Sequence, residues 1–170
     1  KSNEIAKIAG NPEAPTFQNT IEALEKTGNT LKRVQSIYYV WTSNMSTPEM
    51  EAVQTTIEPK LAAFSDSIIQ NTPLFLRIES VYNSPEKQNL SPEQQRLVWR
   101  YYTNYVLAGA KLDSISKKRV AEINQLLAGL FTKFSQHQLA DEGDKFLELT
   151  SEKDLDGLPE GVKNAAAEAA

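Results

Sequence analysis

Apolar residues along this chain recur in steps of three, four or seven, and almost nowhere in the alternation a strand requires. From Phe17 the series runs Phe17, Ile21, Leu24, Gly28, Leu31, Tyr38, Trp41 and Met45. Residues three and four apart share one side of an α-helix. The spacing therefore predicts a single helix of about eight turns with one apolar stripe. A second series, Met50, Val53, Ile57, Leu61, Phe64 and Ile68, predicts another long helix. Pro59 falls inside it and predicts a kink or break near Glu58. A shorter helix carries Leu74, Phe75, Ile78, Val81 and Tyr82. Two more carry Leu97, Val98, Tyr101, Tyr105, Ala108 and Leu112, and then Ile115, Val120, Ile123, Leu127, Leu130 and Phe134.

The helix starts have local causes. Pro15 restricts Ala14, and Thr16 can cap the first free amides. Ser46 or Thr47 can cap the next helix, with Pro48 in its first turn and Glu49 and Glu51 at the positive end of its dipole. Ser91, Pro92 and Gln94 form a capping-box pattern. The stretch Asn83 to Glu93 reads as the longest loop, and the helix through Phe134 is expected to fray in "LADEGDK". The "KFLEL" of Lys145–Leu149 could be extended, with Thr150 or Ser151 capping a turn over "EKDL". A last helix starts at "GLPEG" and runs into alanine up to Ala170. Long stripes and short loops predict an all-α fold, an antiparallel bundle of about five to six helices.

A chain of 170 residues can bury roughly two-thirds of its unfolded surface. Its 40% hydrophobic and 24% charged residues fit a soluble globular protein, and no window approaches the ~20 apolar residues of a membrane span. The start "KSNEIAKIAG" has neither an initiator Met nor an apolar leader core. The net charge is −4 and the cations are dispersed, which argues against a phosphate-tracking surface and so against nucleic acid. The densest cationic cluster, Lys117 to Arg119, reads as a solvated helix face. The lack of cysteine removes disulfides and thiolate chemistry. It suits cytosol and periplasm equally.

Catalytic patterns fail on spacing. An H-E-x-x-H zinc motif needs two histidines, and His137 stands alone. A di-iron bundle needs Glu-x-x-His, but Phe134 precedes His137 by three. No nucleophile elbow, P-loop or dinucleotide fingerprint occurs. The acidic run Asp141 to Glu148 misses the EF-hand offsets. Carboxylate pairs such as Glu22 with Glu25, or Asp141 with Glu142, read as solvated faces. The chain is thus expected to hold no catalytic, cofactor-binding or metal-ligating residue. "YYVW" (Tyr38 to Trp41) and "WRYYTNY" (Trp99 to Tyr105) put rings on more than one helix side. Trp99 and Tyr102 share one, Tyr101 and Tyr105 another. One side must be core. The other is either incidental exposure or a groove for a peptide or partner.

Three stretches together resemble the thimet-oligopeptidase-like zinc metallopeptidases, which include oligopeptidase A and the bacterial peptidyl-dipeptidases. They are "NPEAPTFQNTIEALEKTG" (Asn11 to Gly28), "RYYTNYVLAGAKL" (Arg100 to Leu112) and "LTSEKDLDGLPEGVKNAAAEAA" (Leu149 to Ala170). "EPKLAAFSDSIIQNTPLFLRI" (Glu58 to Ile78) and "FTKFSQHQL" (Phe131 to Leu139) are similar to the peptidyl-dipeptidase branch. The resemblance implies a parent that cuts short peptides or releases C-terminal dipeptides, with zinc held beyond this chain. It implies that residues 1–145 are an N-terminal helical part of a channel wall that limits substrate size. Residues 146–170 would open the connection to a catalytic domain. The implied partners are that domain and short peptides, with no nucleic acid and no membrane. Relatives occur in cytoplasm and periplasm, so no compartment follows. The alternative is a complete helical module that binds a peptide or protein.

Overall fold

The structure, a computed structural model, describes residues 1–144, 147, 149 and 151–169. Among the described residues every regular element is helical, and the fold is the all-α bundle that the spacing predicts. The chain divides into two compact units, Lys1–Phe134 and Ser135–Ala170.

The first unit opens with α1 (Ser2–Ala9), which the sequence reading did not anticipate and which buries Ile5 and Ile8. Thr16 then caps as expected. Its Oγ1 accepts the Asn19 N–H at 3.1 Å, and Asn19 Oδ1 accepts the Thr16 N–H at 2.9 Å. The helix so started is a π-helix (Phe17–Glu22) that continues into the short α2 (Ala23–Glu25). There it stops. Gly28 has φ 74°, a left-handed conformation open to glycine but costly for other residues. Its N–H donates to Glu4 Oε2 at 3.1 Å. A separate helix, α3 (Asn29–Asn44), follows. The single long helix expected from Phe17 is therefore two helices, because Gly28 is a turn and not a member of the stripe.

Thr47 caps α4 (Pro48–Ile69), accepting the Met50 N–H at 3.3 Å. The helix runs unbroken through Pro59, since one missing donor removes only one bond from a long ladder. Asn71 caps α5 (Thr72–Asn83) through the Leu74 N–H at 2.9 Å. A 3₁₀ turn (Pro85–Asn89) occupies part of the expected loop. The capping box at Ser91 and Gln94 starts α6 (Pro92–Leu107) as expected. Gly109, with φ 93°, turns the chain after α6, so Ala108 and Leu112 lie beyond that helix. Asp113 Oδ1 accepts the N–H groups of Ile115 and Ser116, both at 2.9 Å, and opens α7 (Ser114–Asp144).

The core lies among α1, the π-helix with α2, α5 and α6. Ile21, Leu74, Ile78 and Val98 are sealed from solvent, each such side chain contributing about 1.5–3 kcal/mol. Arg77 of α5 is buried with them. Its guanidinium donates to the carbonyls of Asn11 (2.8 Å) and Glu13 (2.9 Å) and to Asn19 Oδ1 (2.9 Å). One cation thus ties the loop before the π-helix to the centre of the fold.

The second unit holds the end of α7, a 3₁₀ turn (Glu152–Leu155) and α8 (Glu160–Ala169). α7 continues through the expected fraying point to Asp144. Asp154 Oδ2 accepts from the Ser151 N–H at 3.2 Å and from its Oγ at 2.8 Å. Lys145, Phe146, Glu148 and Thr150, on which the expected extended stretch and one candidate cap fall, lie outside the described residues. Leu147 and Leu149 belong to no regular element. No helix among the described residues is long and apolar enough to cross a membrane.

Candidate functional site

Among the described residues, sides of two helices are left uncovered. On α3, Val34, Ile37, Trp41 and Met45 recur at steps of three and four, and all are exposed, Ile37 by 61% and Trp41 by 53%. The covered side of α3 is the more polar row Leu31, Gln35, Tyr38 and Thr42. There Tyr38 donates its hydroxyl to Glu58 Oε1 of α4 at 2.9 Å. Burial, and then the Glu58 carboxylate, raise the Tyr38 hydroxyl well above its usual value, so it stays a donor.

The same inversion occurs on α7 up to Phe134. Apart from the half-buried Val120, its covered positions are small or polar, among them Ala121, Asn124, Ala128 and Thr132. Asn124 Nδ2 donates to Asp66 Oδ1 of α4 at 2.7 Å, and Lys117 Nζ reaches Thr72 Oγ1 at 3.1 Å. Of the expected stripe, Ile115, Ile123, Leu127, Leu130 and Phe134 face solvent, Leu130 by 60% and Phe134 by 69%, and Val120 alone is half-buried. Exposed apolar rows of this extent are the kind of surface through which a helix meets a partner. On α7 periodicity found the row but not the side it faces; on α3 the expected stripe joined half-buried Leu31 and Tyr38 to exposed Trp41 and Met45 and left out Val34 and Ile37.

The tyrosines of α6 are mostly structural. Tyr102 stacks on Tyr82 with centroids 3.9 Å apart, and Tyr105 lies beside Phe75 at 6.5 Å. Lys111 Nζ joins Glu79 Oε1 (2.8 Å) to the Tyr102 hydroxyl (2.9 Å). Those two bonds raise the Lys111 ammonium above its usual value. Tyr101 donates to Glu25 Oε1 at 2.8 Å. Trp99 alone of this group points outward, under the Arg96 guanidinium at 4.2 Å. The aromatic run therefore closes the core on both tyrosine sides and builds no long groove.

His137 lies exposed on α7. Glu22 pairs with Lys26, and Glu25 holds Tyr101. Asp141 is exposed, and the side chain of Glu142 lies outside the described residues. Among the described residues no three His, Asp or Glu side chains gather as metal ligands. A lone exposed histidine does not fit a zinc centre, which takes three or four ligands. Lys118 and Arg119 are exposed, as expected of a solvated face, whereas Lys117 is half-buried and bonds across to Thr72.

The model of the neurolysin/thimet oligopeptidase N-terminal domain matches residues 2–117. The chain belongs to that family. Over 170 residues it is 36% identical to a dipeptidyl carboxypeptidase of Escherichia coli (strain K12), covering 100% of this chain and 25% of the relative. It is 31% identical over 157 residues to the organellar oligopeptidase A, chloroplastic/mitochondrial, of Arabidopsis thaliana, covering 92% of this chain and 20% of that protein. Against oligopeptidase A of Haemophilus influenzae (strain ATCC 51907 / DSM 11121 / KW20 / Rd) the identity is 30% over 171 residues, 99% of this chain and 24% of the relative. The chain spans about a quarter of the length of these peptidases. The matched segment, 2–117, contains the sealed core, the uncovered side of α3 and the first turn of α7.

Proposed function

We propose that this chain is the non-catalytic N-terminal part of a zinc-dependent oligopeptidase that releases dipeptides from the C-termini of short peptides. The observation that carries the reading is the alignment of the entire chain with 25% of a dipeptidyl carboxypeptidase. The uncovered rows on α3 and α7 support it, because a helical wall that lines a larger enzyme must meet the remainder through apolar surface. In this reading residues 1–145 form part of a channel wall that limits substrate size, and residues 146–170 lead toward the catalytic domain. The partners are that domain and short peptides. Zinc belongs to the parent, where it polarises the scissile carbonyl. This chain supplies shape and carries no reacting group.

The test uses the native gene product and the chain side by side. The native product is expected to migrate well above 19.0 kDa and to release a dipeptide from a blocked tetrapeptide. A chelator should abolish that activity and zinc restore it, while the chain alone stays inactive. A native product of 19.0 kDa would overturn the proposal in favour of a self-contained helical binding module. Chelator-sensitive hydrolysis by the chain alone would overturn the non-catalytic assignment.

A further inference from the structure

Arg100, Tyr101, Asn104 and Tyr105 of α6 line an open cleft of about 250 Å3 together with Ile69 at the end of α4. The spacing explains the convergence. Residues 100 and 104, and 101 and 105, are one turn apart, so two adjacent rows of α6 meet on one side. Tyr105 is only 8% exposed, and its ring is fixed between Phe75 (6.5 Å) and Tyr101 (6.4 Å). Its hydroxyl nevertheless makes no hydrogen bond among the described residues. Burial pushes that hydroxyl up to about 12, so it remains a donor at physiological pH. The Arg100 guanidinium and the Asn104 carboxamide, both on the exposed rim, also lack partners among the described residues. Tyr101 offers only its ring, since its hydroxyl is held by Glu25.

Three uncommitted donors, one of them cationic, thus border a cleft with an isoleucine and an aromatic wall. The Tyr105 hydroxyl meets solvent only through the cleft, so an acceptor placed there replaces a water on a donor whose ring is already fixed. The planar fork of arginine matches the two oxygens of a carboxylate. We propose that this cleft binds a carboxylate on a short apolar stem, a peptide C-terminus or an acidic side chain. Arg100 pairs with the two oxygens, Asn104 and Tyr105 donate to them, and Ile69 and the Tyr101 ring cover the stem. The cleft is built by α4 and α6 alone, so the assignment goes beyond the peptidase reading and does not depend on the parent's activity.

The test is an NMR titration of the 15N-labelled chain, following the Asn104 side-chain amide. The probes are N-acetyl-Ala-Ala, its C-terminal amide, N-acetyl-glutamate with an amidated C-terminus, and inorganic phosphate. Saturable shifts are expected with one or both carboxylates and none with the doubly blocked dipeptide. The more tightly held acid tells a peptide C-terminus from a side chain. Arg100→Gln should weaken binding about tenfold or more, and Tyr105→Phe, which keeps the ring, several-fold. Four results would overturn the proposal. They are no saturation at millimolar acid, equal binding of the blocked dipeptide, an unchanged affinity in Arg100→Gln, and phosphate bound as tightly as the carboxylates.

Discussion

Replacing Arg77 with methionine keeps the aliphatic stem and removes the charge and three hydrogen bonds. Those bonds, to the Asn11 and Glu13 carbonyls and Asn19 Oδ1, measure 2.8, 2.9 and 2.9 Å. Hydrogen bonds to a charged group contribute roughly 1.5–3 kcal/mol each, so the gross loss is about 4–9 kcal/mol. Against this stands the desolvation of a guanidinium that is 7% exposed, faces neutral acceptors and leaves its Nε without a partner. That penalty is several kcal/mol. The net destabilisation is therefore about 3 kcal/mol, a fall in Tm of about 6–12 °C for a chain of this size. Asn19 shares the network, since its Oδ1 also accepts from Thr16 and its Nδ2 donates to Ala14. In a double-mutant cycle with Asn19→Ala, Arg77→Met should show a coupling of about 0.5–3 kcal/mol. Thermal melts followed by circular dichroism measure both quantities. A fall in Tm under about 2 °C, or strict additivity with Asn19→Ala, would refute the clamp.

Gly28→Ala should cost about 1–2 kcal/mol, because the position needs φ 74°; urea melts will show a lower midpoint with an unchanged slope if the turn is the cause. The Tyr105 hydroxyl is held at about 12 when folded against ~10 unfolded, so its contribution is complete below pH ~10 and lost as pH rises toward about 12. Tyr105→Phe should accordingly flatten the alkaline limb of a stability-against-pH curve, and an identical limb would contradict the burial argument. Ile37→Lys and Leu130→Glu should each change stability by less than about 0.5 kcal/mol while reducing self-association in sedimentation velocity. A large loss of stability in either would mean that the row is core after all.

The helix starts were legible because caps are local. Thr16, Thr47 and Ser91 each bond an amide three residues on, and that information sits in four consecutive letters. Gly28 was misread because it fell on the three-and-four spacing, which takes no account of φ. The first helix carried its own signals, Ile5 and Ile8 three apart and Gly10 beyond them. Pro59 shows the limit of a breaker rule, since α4 spans it. The hardest feature to read was the direction of α3 and α7. A period tells which residues share a side, but burial depends on what stands opposite. The donors around Tyr105 were equally hidden, since Tyr101 and Tyr105 looked alike until one hydroxyl met Glu25 and the other opened onto the cleft.

α7 meets α4 through Asn124 on Asp66 and α5 through Lys117 on Thr72, while most of its apolar row faces water. Such a helix has little of its own to resist opening. Left bare, its amides exchange with solvent through local excursions far cheaper than unfolding of the α5–α6 core. Whatever lies on Leu130 and Phe134 sets that cost, so the backbone of α7 acts as a gauge of occupancy. Its protection against exchange rises when the outer side is covered and collapses when it is stripped, while the amides of Ile78 and Val98 keep the same rate throughout.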